Sequence, residues 1–345
     1  MGYALAKPLY REHELAFRTQ YAELKERTLG AGELLPGTPG SLALRSGSGR
    51  AYWYRVFYTL PRKTREELVC KEGDETALNA MRERMDFAGW AAAQVTSLRK
   101  LEFQTADKAT ARVLVELHNL QAFEAGLILV GTLGYMAWLN ELGAIAVTAR
   151  TLDIDLARRQ KLKLAAPLPF LDTMKDTGLP FVAVPGLPST APSTSIKLPG
   201  VEGLRVDVLA PGKVLGATIE VPELKWVAQA IPYYDYLLAE TERGAMLAGG
   251  HCVPLRLPQA ARLVWHKLYS STQRHGSPEK AAKDQQQGLV LGAVLAENDS
   301  HELIAALEAA PKPMLAPIKP LLRLLVGKAE AHPALVDVLH QCLGG

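Results

Sequence analysis

The chain has 345 residues, 48% of them hydrophobic, with 39 Lys and Arg against 36 Asp and Glu for a net charge of +3. That length holds two or three domains, and the composition is that of a folded chain, not a disordered or fibrous one. So small a net charge gives no general attraction to nucleic acid, which would have to meet a local basic face.

The first residues carry charges throughout, with no continuous apolar core, and do not read as a signal peptide. The longest apolar stretch, Leu127 to Leu139, is too short and Gly-rich to span a membrane. Cys70, Cys252 and Cys342 are far apart and lack metal-ligand spacing. An odd number leaves one unpaired within a monomer, so a reduced compartment is the simpler reading. The expectation is a cytoplasmic protein with no membrane partner.

Residues 9–28 suit a charged helix, closed by the turn-rich segment 30–41. Over 41–73, β-branched and aromatic residues between Gly/Ser and Pro/Lys breaks predict two or three short antiparallel strands. Residues 74–125 return to helical spacing. Next, Leu127 to Gly143 reads as a buried strand, a Gly turn and a helix, and residues 149–158 as a strand carrying acids. Residues 179–185 and 204–211 read as further strands around a Pro/Ser/Thr-rich loop. This alternation predicts an α/β or α+β domain around one sheet. From about 223 the chain reads as mostly helical, and after Pro311 as two more apolar helical segments, which could pack within the chain or against a partner. The expected division is 1–108, 109–222, 223–310 and 311–345.

Asp153-Ile154-Asp155 is the most informative spot. On a strand, residues i and i+2 share a face, so both carboxylates project together while Leu152, Ile154 and Leu156 point to the core. Paired carboxylates repel unless a cation sits between them, and a hard oxygen-seeking ion such as Mg²⁺, or Mn²⁺ in its place, suits them. A bare Asp-x-Asp is also found as a solvated strand end, so its neighbours matter. Upstream, Gly131 and Thr132 lie at the strand-to-helix turn, where backbone N–H groups and a helix N-terminus can cradle phosphate. Downstream, Asp207 sits on a second apolar strand, either as the third carboxylate a two-metal site needs or as an ordinary edge charge.

The order strand, Gly-Thr, helix, Asp-x-Asp, strand, Asp resembles the DNA polymerase β-type nucleotidyltransferase superfamily. Residues 131–143 followed by 151–158 are more closely similar to a bacterial family of nucleotidyltransferases of undefined substrate, related to the toxins of abortive-infection systems. The resemblance is strongest over 120–215. It implies an α+β fold: an α/β-like nucleotidyltransferase palm with a mixed sheet, a helical C-terminal domain and a small N-terminal strand-and-helix region. It also implies an enzyme that moves a nucleoside monophosphate from a nucleoside triphosphate to an RNA 3′ end (a tRNA among them) or a protein hydroxyl. Two Mg²⁺ on Asp153, Asp155 and Asp207 would serve it, and a toxin role is a special case. Residues 266–284 resemble a second block of the family, which implies that Lys267 reaches the triphosphate and Asp284 helps to orient it. A half-buried lysine with its ammonium drawn out to solvent is the other reading of Lys267. His266 and His251 read as structural or rim residues. The rival to the enzyme is a catalytically inactive nucleotide- or nucleic-acid-binding regulator on the same fold.

The N-terminal strands mix Tyr52, Trp53, Tyr54 and Tyr58 with Arg45, Arg50, Arg55, Arg62, Lys63 and Arg65. Aromatic faces with cations hold single-stranded or flexible RNA. The same alternation also fits one core face and one wet face of an ordinary sheet.

Overall fold

A computed structural model describes residues 7–60, 63–147, 151–186 and 188–343. The chain is an α+β protein with a mixed central sheet and a helical C-terminal region. The sheet is built around the strand Arg205–Pro211, which pairs along one edge, in parallel, with Asp153–Ala157. Its other edge is shared: Ser195–Lys197 pairs antiparallel with the first half and Trp226–Ile231 parallel with the second. Ile128–Val130 closes the far side of Asp153–Ala157 as an antiparallel edge strand. Ile154, Leu156, Val206 and Val208 are fully buried. Each contributes about 1.5–3 kcal/mol relative to an exposed position, and their burial fixes which face the intervening acids take.

Before the sheet, Leu15–Ala31 and Glu75–Lys100 are helices flanking a three-stranded antiparallel meander, Ser41–Gly47, Arg50–Leu60 and Lys63–Lys71. The first helix begins later than its charge pattern predicts, because Arg11–Glu12 is held extended against Ala144–Ile145. Tyr10 in the same segment is buried, with its hydroxyl on Glu297, which also meets His332. The predicted helical run 74–125 is interrupted: Glu102 turns the chain at φ 69°, Thr105–Ala106 joins a strand, and Lys108–Asn119 resumes as a helix.

Residues 223–258 depart most from expectation. They are mostly strands: Trp226–Ile231, then, after the one-turn helix Tyr234–Leu237, a hairpin of Thr241–Ala248 and His251–Pro258 turned at Gly249-Gly250. The hairpin is buried on both faces over most of its length, so its sequence lacks the apolar–polar alternation that distinguishes a strand from a buried helix. The longer helices of this region begin at Ala260–Thr272, which packs along Pro278–Glu308. The latter breaks at Asp299, whose φ −155° and ψ 98° are not helical. The apolar tail packs within the chain, burying Ile318, Leu325, Leu335, Val338 and Leu339 in the main core.

Cys70 and Cys252 are free and buried, and the side chain of Cys342 lies outside the described residues. Among the described residues no helix is long and apolar enough to cross a membrane.

Candidate active site

Strand register brings the predicted acids together. Asp155 is paired with Asp207 on the neighbouring parallel strand and with Val130 on the other side, and Asp153 is paired with Arg205. Adjacent strands run about 4.8 Å apart, so Asp155 and Asp207 face one spot, with Asp153 two residues along the same face. Gly131 follows Val130 directly and opens the helix Gly131–Leu142 at φ 68°. A Cβ there would collide with the Asp155 carboxylate, and the backbone conformation itself favours glycine. Gly131→Ala is therefore expected to displace Asp155 and remove at least about nine-tenths of any turnover that depends on these acids. A kinetic assay showing wild-type turnover would contradict this.

Thr132 is buried, and its hydroxyl accepts a 3.2 Å hydrogen bond from Lys283 Nζ. Lys267 is buried too, so it is not a lysine that reaches out to solvent. Its Nζ donates to Asp284 Oδ1 at 3.0 Å, while Arg274 Nε donates to Asp284 Oδ2 at 3.0 Å. Burial pushes the Asp284 carboxyl up, but Lys267 and Arg274 together hold it below its ordinary value. Lys283 is lowered by burial and by Lys267, against the pull of Asp284 and Asp155. These groups line one cleft of about 460 Å³ with the three acids, Gln229 and Tyr269.

The acids differ in their surroundings. Asp153 is exposed. Asp155, only partly exposed, is raised to about 6 by burial, then by Asp207 and Asp153, with Lys267 and Lys283 opposing. Asp207 is engaged: its Oδ1 accepts from Arg205 Nε at 2.8 Å and from the Ser195 hydroxyl, and Arg205 Nη2 also donates to Ser195 Oγ at 2.6 Å. Sequence reading did not single out Arg205 or Ser195. Arg205 had a signal, since it lies two residues before Asp207 on the same strand face, whereas Ser195 reaches Asp207 only through strand pairing. His266 is buried, lowered to about 4 by desolvation, and packed on Tyr234 and Tyr269, which leaves it neutral and structural.

The donor chemistry suits hard divalent cations, because three mutually repelling carboxylates present only oxygen. Among the described residues no group of three or more His, Cys, Asp or Glu side chains is already disposed to hold an ion. Asp153 and Asp155 are open to one, whereas Asp207 already has Oδ1 engaged by Arg205 and Ser195 and would offer its other oxygen.

The N-terminal cations differ in availability: Arg45, Arg50 and Arg65 are exposed, whereas Arg55 is not. Arg55 is fully buried and bound to the carbonyls of Pro36, Thr38 and Pro39 and to Glu67. Arg45 pairs with Glu66, and Arg65 donates to the Asp176 carbonyl. Arg62 and the Lys63 side chain lie outside the described residues. Arg55 is thus a structural strut that holds the 36–39 loop, because its own buried donors are satisfied by that loop's carbonyls and by Glu67. His251, beside the same loop and away from the acidic cleft, donates from Nε2 to the Leu35 carbonyl.

A family model described as nucleotidyltransferase matches residues 108–311, a span that includes the whole cleft and both helices behind it. No curated protein and no solved structure matches the chain.

Proposed function

The chain belongs to this nucleotidyltransferase family, and from that premise we propose that it transfers a nucleoside monophosphate from a nucleoside triphosphate to a hydroxyl acceptor at the Asp153–Asp155–Asp207 cleft. One observation carries the reading: strand register sets Asp155 between Gly131 and Asp207, with Lys267 and Lys283 in the same cleft. In the proposed reaction the acceptor oxygen bonds to the α-phosphorus, the α–β bridging bond breaks and pyrophosphate leaves. Asp153 and Asp155 would hold Mg²⁺, which when bound lowers the pKa of the attacking hydroxyl and offsets phosphate charge. The Gly131 turn and the Thr132 hydroxyl receive phosphate, Lys283 bridges Thr132 to it, and Lys267 exchanges part of its pairing with Asp284 for the same charge. A compact ammonium on a flexible stem suits that exchange better than a fixed guanidinium.

The acceptor is an RNA 3′ end or a protein hydroxyl, and one assay separates the two. Purified protein is incubated with each α-³²P-labelled nucleoside triphosphate, Mg²⁺ and total cell RNA and protein, beside Asp153→Ala. Label on RNA or on a protein band, absent with the variant, is the expected result. An active Asp153→Ala protein would sink the reading. The grip of Arg205 on Asp207 favours a second reading, a nucleotide-binding regulator without transfer activity. Mg²⁺-dependent nucleotide binding with no label on any acceptor would select it.

A further inference from the structure

A cavity of about 810 Å³ lies where the N-terminal meander, the long helix Glu75–Lys100 and the start of the helix Lys108–Asn119 meet. It shares no lining residue with the acidic cleft. Arg112 lines it and is only 5% exposed. One guanidinium nitrogen, Nη2, donates to the Thr177 carbonyl. Nε and Nη1 are buried with no hydrogen-bond partner among the described residues. Such donors are costly to leave unmet, the more so on a charged group; Arg65 and Arg55 add like charge nearby, offset in part by Glu116 on the same helix. His251 lines the same cavity. Its Nε2 must be the donor to the Leu35 carbonyl, so in the neutral ring Nδ1 is a lone-pair acceptor; it is buried, and the Ala248 carbonyl beside the ring cannot donate to it.

The lining therefore holds two kinds of unmet demand, an anion for Arg112 and a donor for His251. Arg99 and Lys108 also line the cavity, against one carboxylate, Asp107, which is occupied in capping its helix at Thr110 N. Three cations against one acid suit a dianion better than a single carboxylate. The remaining wall mixes Tyr58, Ala92 and Val95 with the hydroxyl-bearing Thr38, Thr96 and Thr105. We propose that this cavity is a second ligand site, independent of the acidic cleft, which takes a phosphate monoester carried on a hydroxyl-bearing body of nucleotide size. Arg112 holds the phosphate, His251 Nδ1 accepts from a ligand hydroxyl and Tyr58 faces the ring system. A free mononucleotide and the 5′-phosphorylated end of an RNA present the same chemistry.

The test is calorimetric titration of the full-length protein with AMP, with a 5′-phosphorylated oligoribonucleotide and with adenosine. Wild type, Arg112→Gln and Lys267→Ala are compared, so that binding in the acidic cleft is identified by its loss in the last. A component of AMP binding that survives Lys267→Ala and weakens tenfold or more in Arg112→Gln is the expected result. Oligoribonucleotide binding with the same dependence identifies an RNA end as the source, and its absence identifies the free nucleotide. Should Arg112→Gln fail to fold, Ala92→Leu, which fills the cavity and leaves Arg112 in place, is expected to remove the same component. Binding unaffected by both cavity variants, or adenosine bound as tightly as AMP, would overturn the proposal.

Discussion

Asp155→Asn is expected to abolish nucleotidyl transfer, by a factor of a thousand or more, and at the same time to raise the melting temperature of the metal-free protein near neutral pH. The two effects have one cause. Asp155 is raised to about 6 by burial and by the neighbouring Asp207 and Asp153, so at pH 7 and above its charge is held in the fold against opposition. A carboxyl whose folded pKa lies above its unfolded value binds its proton more tightly in the folded state. Its unfavourable contribution is therefore absent below about pH 4, develops between pH 4 and 6, and is complete above that. A difference of roughly two pKa units corresponds to at most about 3 kcal/mol, an upper bound because Asp155 is partly open to solvent. Asparagine removes this term at nearly constant shape, so a gain of a few degrees is expected above pH 6 and none at pH 4. Mg²⁺ should raise the melting temperature of the wild type and leave Asp155→Asn little changed. Retained transfer, or a melting temperature lowered at pH 7, would remove Asp155 from the centre of the site.

The acidic site is legible in the sequence for a geometric reason. The side-chain period of a strand is two, so Asp153-Ile154-Asp155 had to place its acids on one face once Ile154 and Leu156 were in the core. Gly131 could be placed because a strand-to-helix turn needs a backbone that approaches closely, and the approach proves to be to Asp155. What sequence could not supply was pairing. Ser195 and Arg205 clamp Asp207 through a strand contact that no local pattern encodes. The hairpin 241–258 is buried on both faces, and its apolar run is equally compatible with a helix. Arg55 looked like a nucleic-acid contact because it alternates with aromatics, yet the 36–39 loop folds over it and takes up its donors. Arg112 stands in an otherwise ordinary amphipathic helix, and only the empty space beside it marks it out.

Asp284→Ala is expected to destabilise the protein by about 3–5 kcal/mol at neutral pH, the range for removing one partner of a buried ion pair. Asp284 is 1% exposed and receives Lys267 and Arg274 on separate oxygens. Arg274 is half exposed and can turn to solvent, but Lys267 is buried and would lose its hydrogen-bonded carboxylate, keeping only the more distant attraction of Asp155. Lys267→Met should cost much less, since Asp284 then keeps Arg274. The sign of the pH dependence follows from the depressed Asp284 carboxyl. Its contribution is present above the unfolded value near 4 and is lost as pH falls through the lower folded value, so wild type and variant should converge in acid. Nucleoside triphosphate discriminates a structural brace from a phosphate site. If Lys267 is held in reserve for phosphate, the ligand supplies the missing negative charge, and it should raise the melting temperature of Asp284→Ala by more than that of the wild type. Equal increments in the two proteins would leave the Lys267–Asp284 pair as a brace of the helical layer and assign triphosphate binding to Lys283 and the Gly131 turn alone.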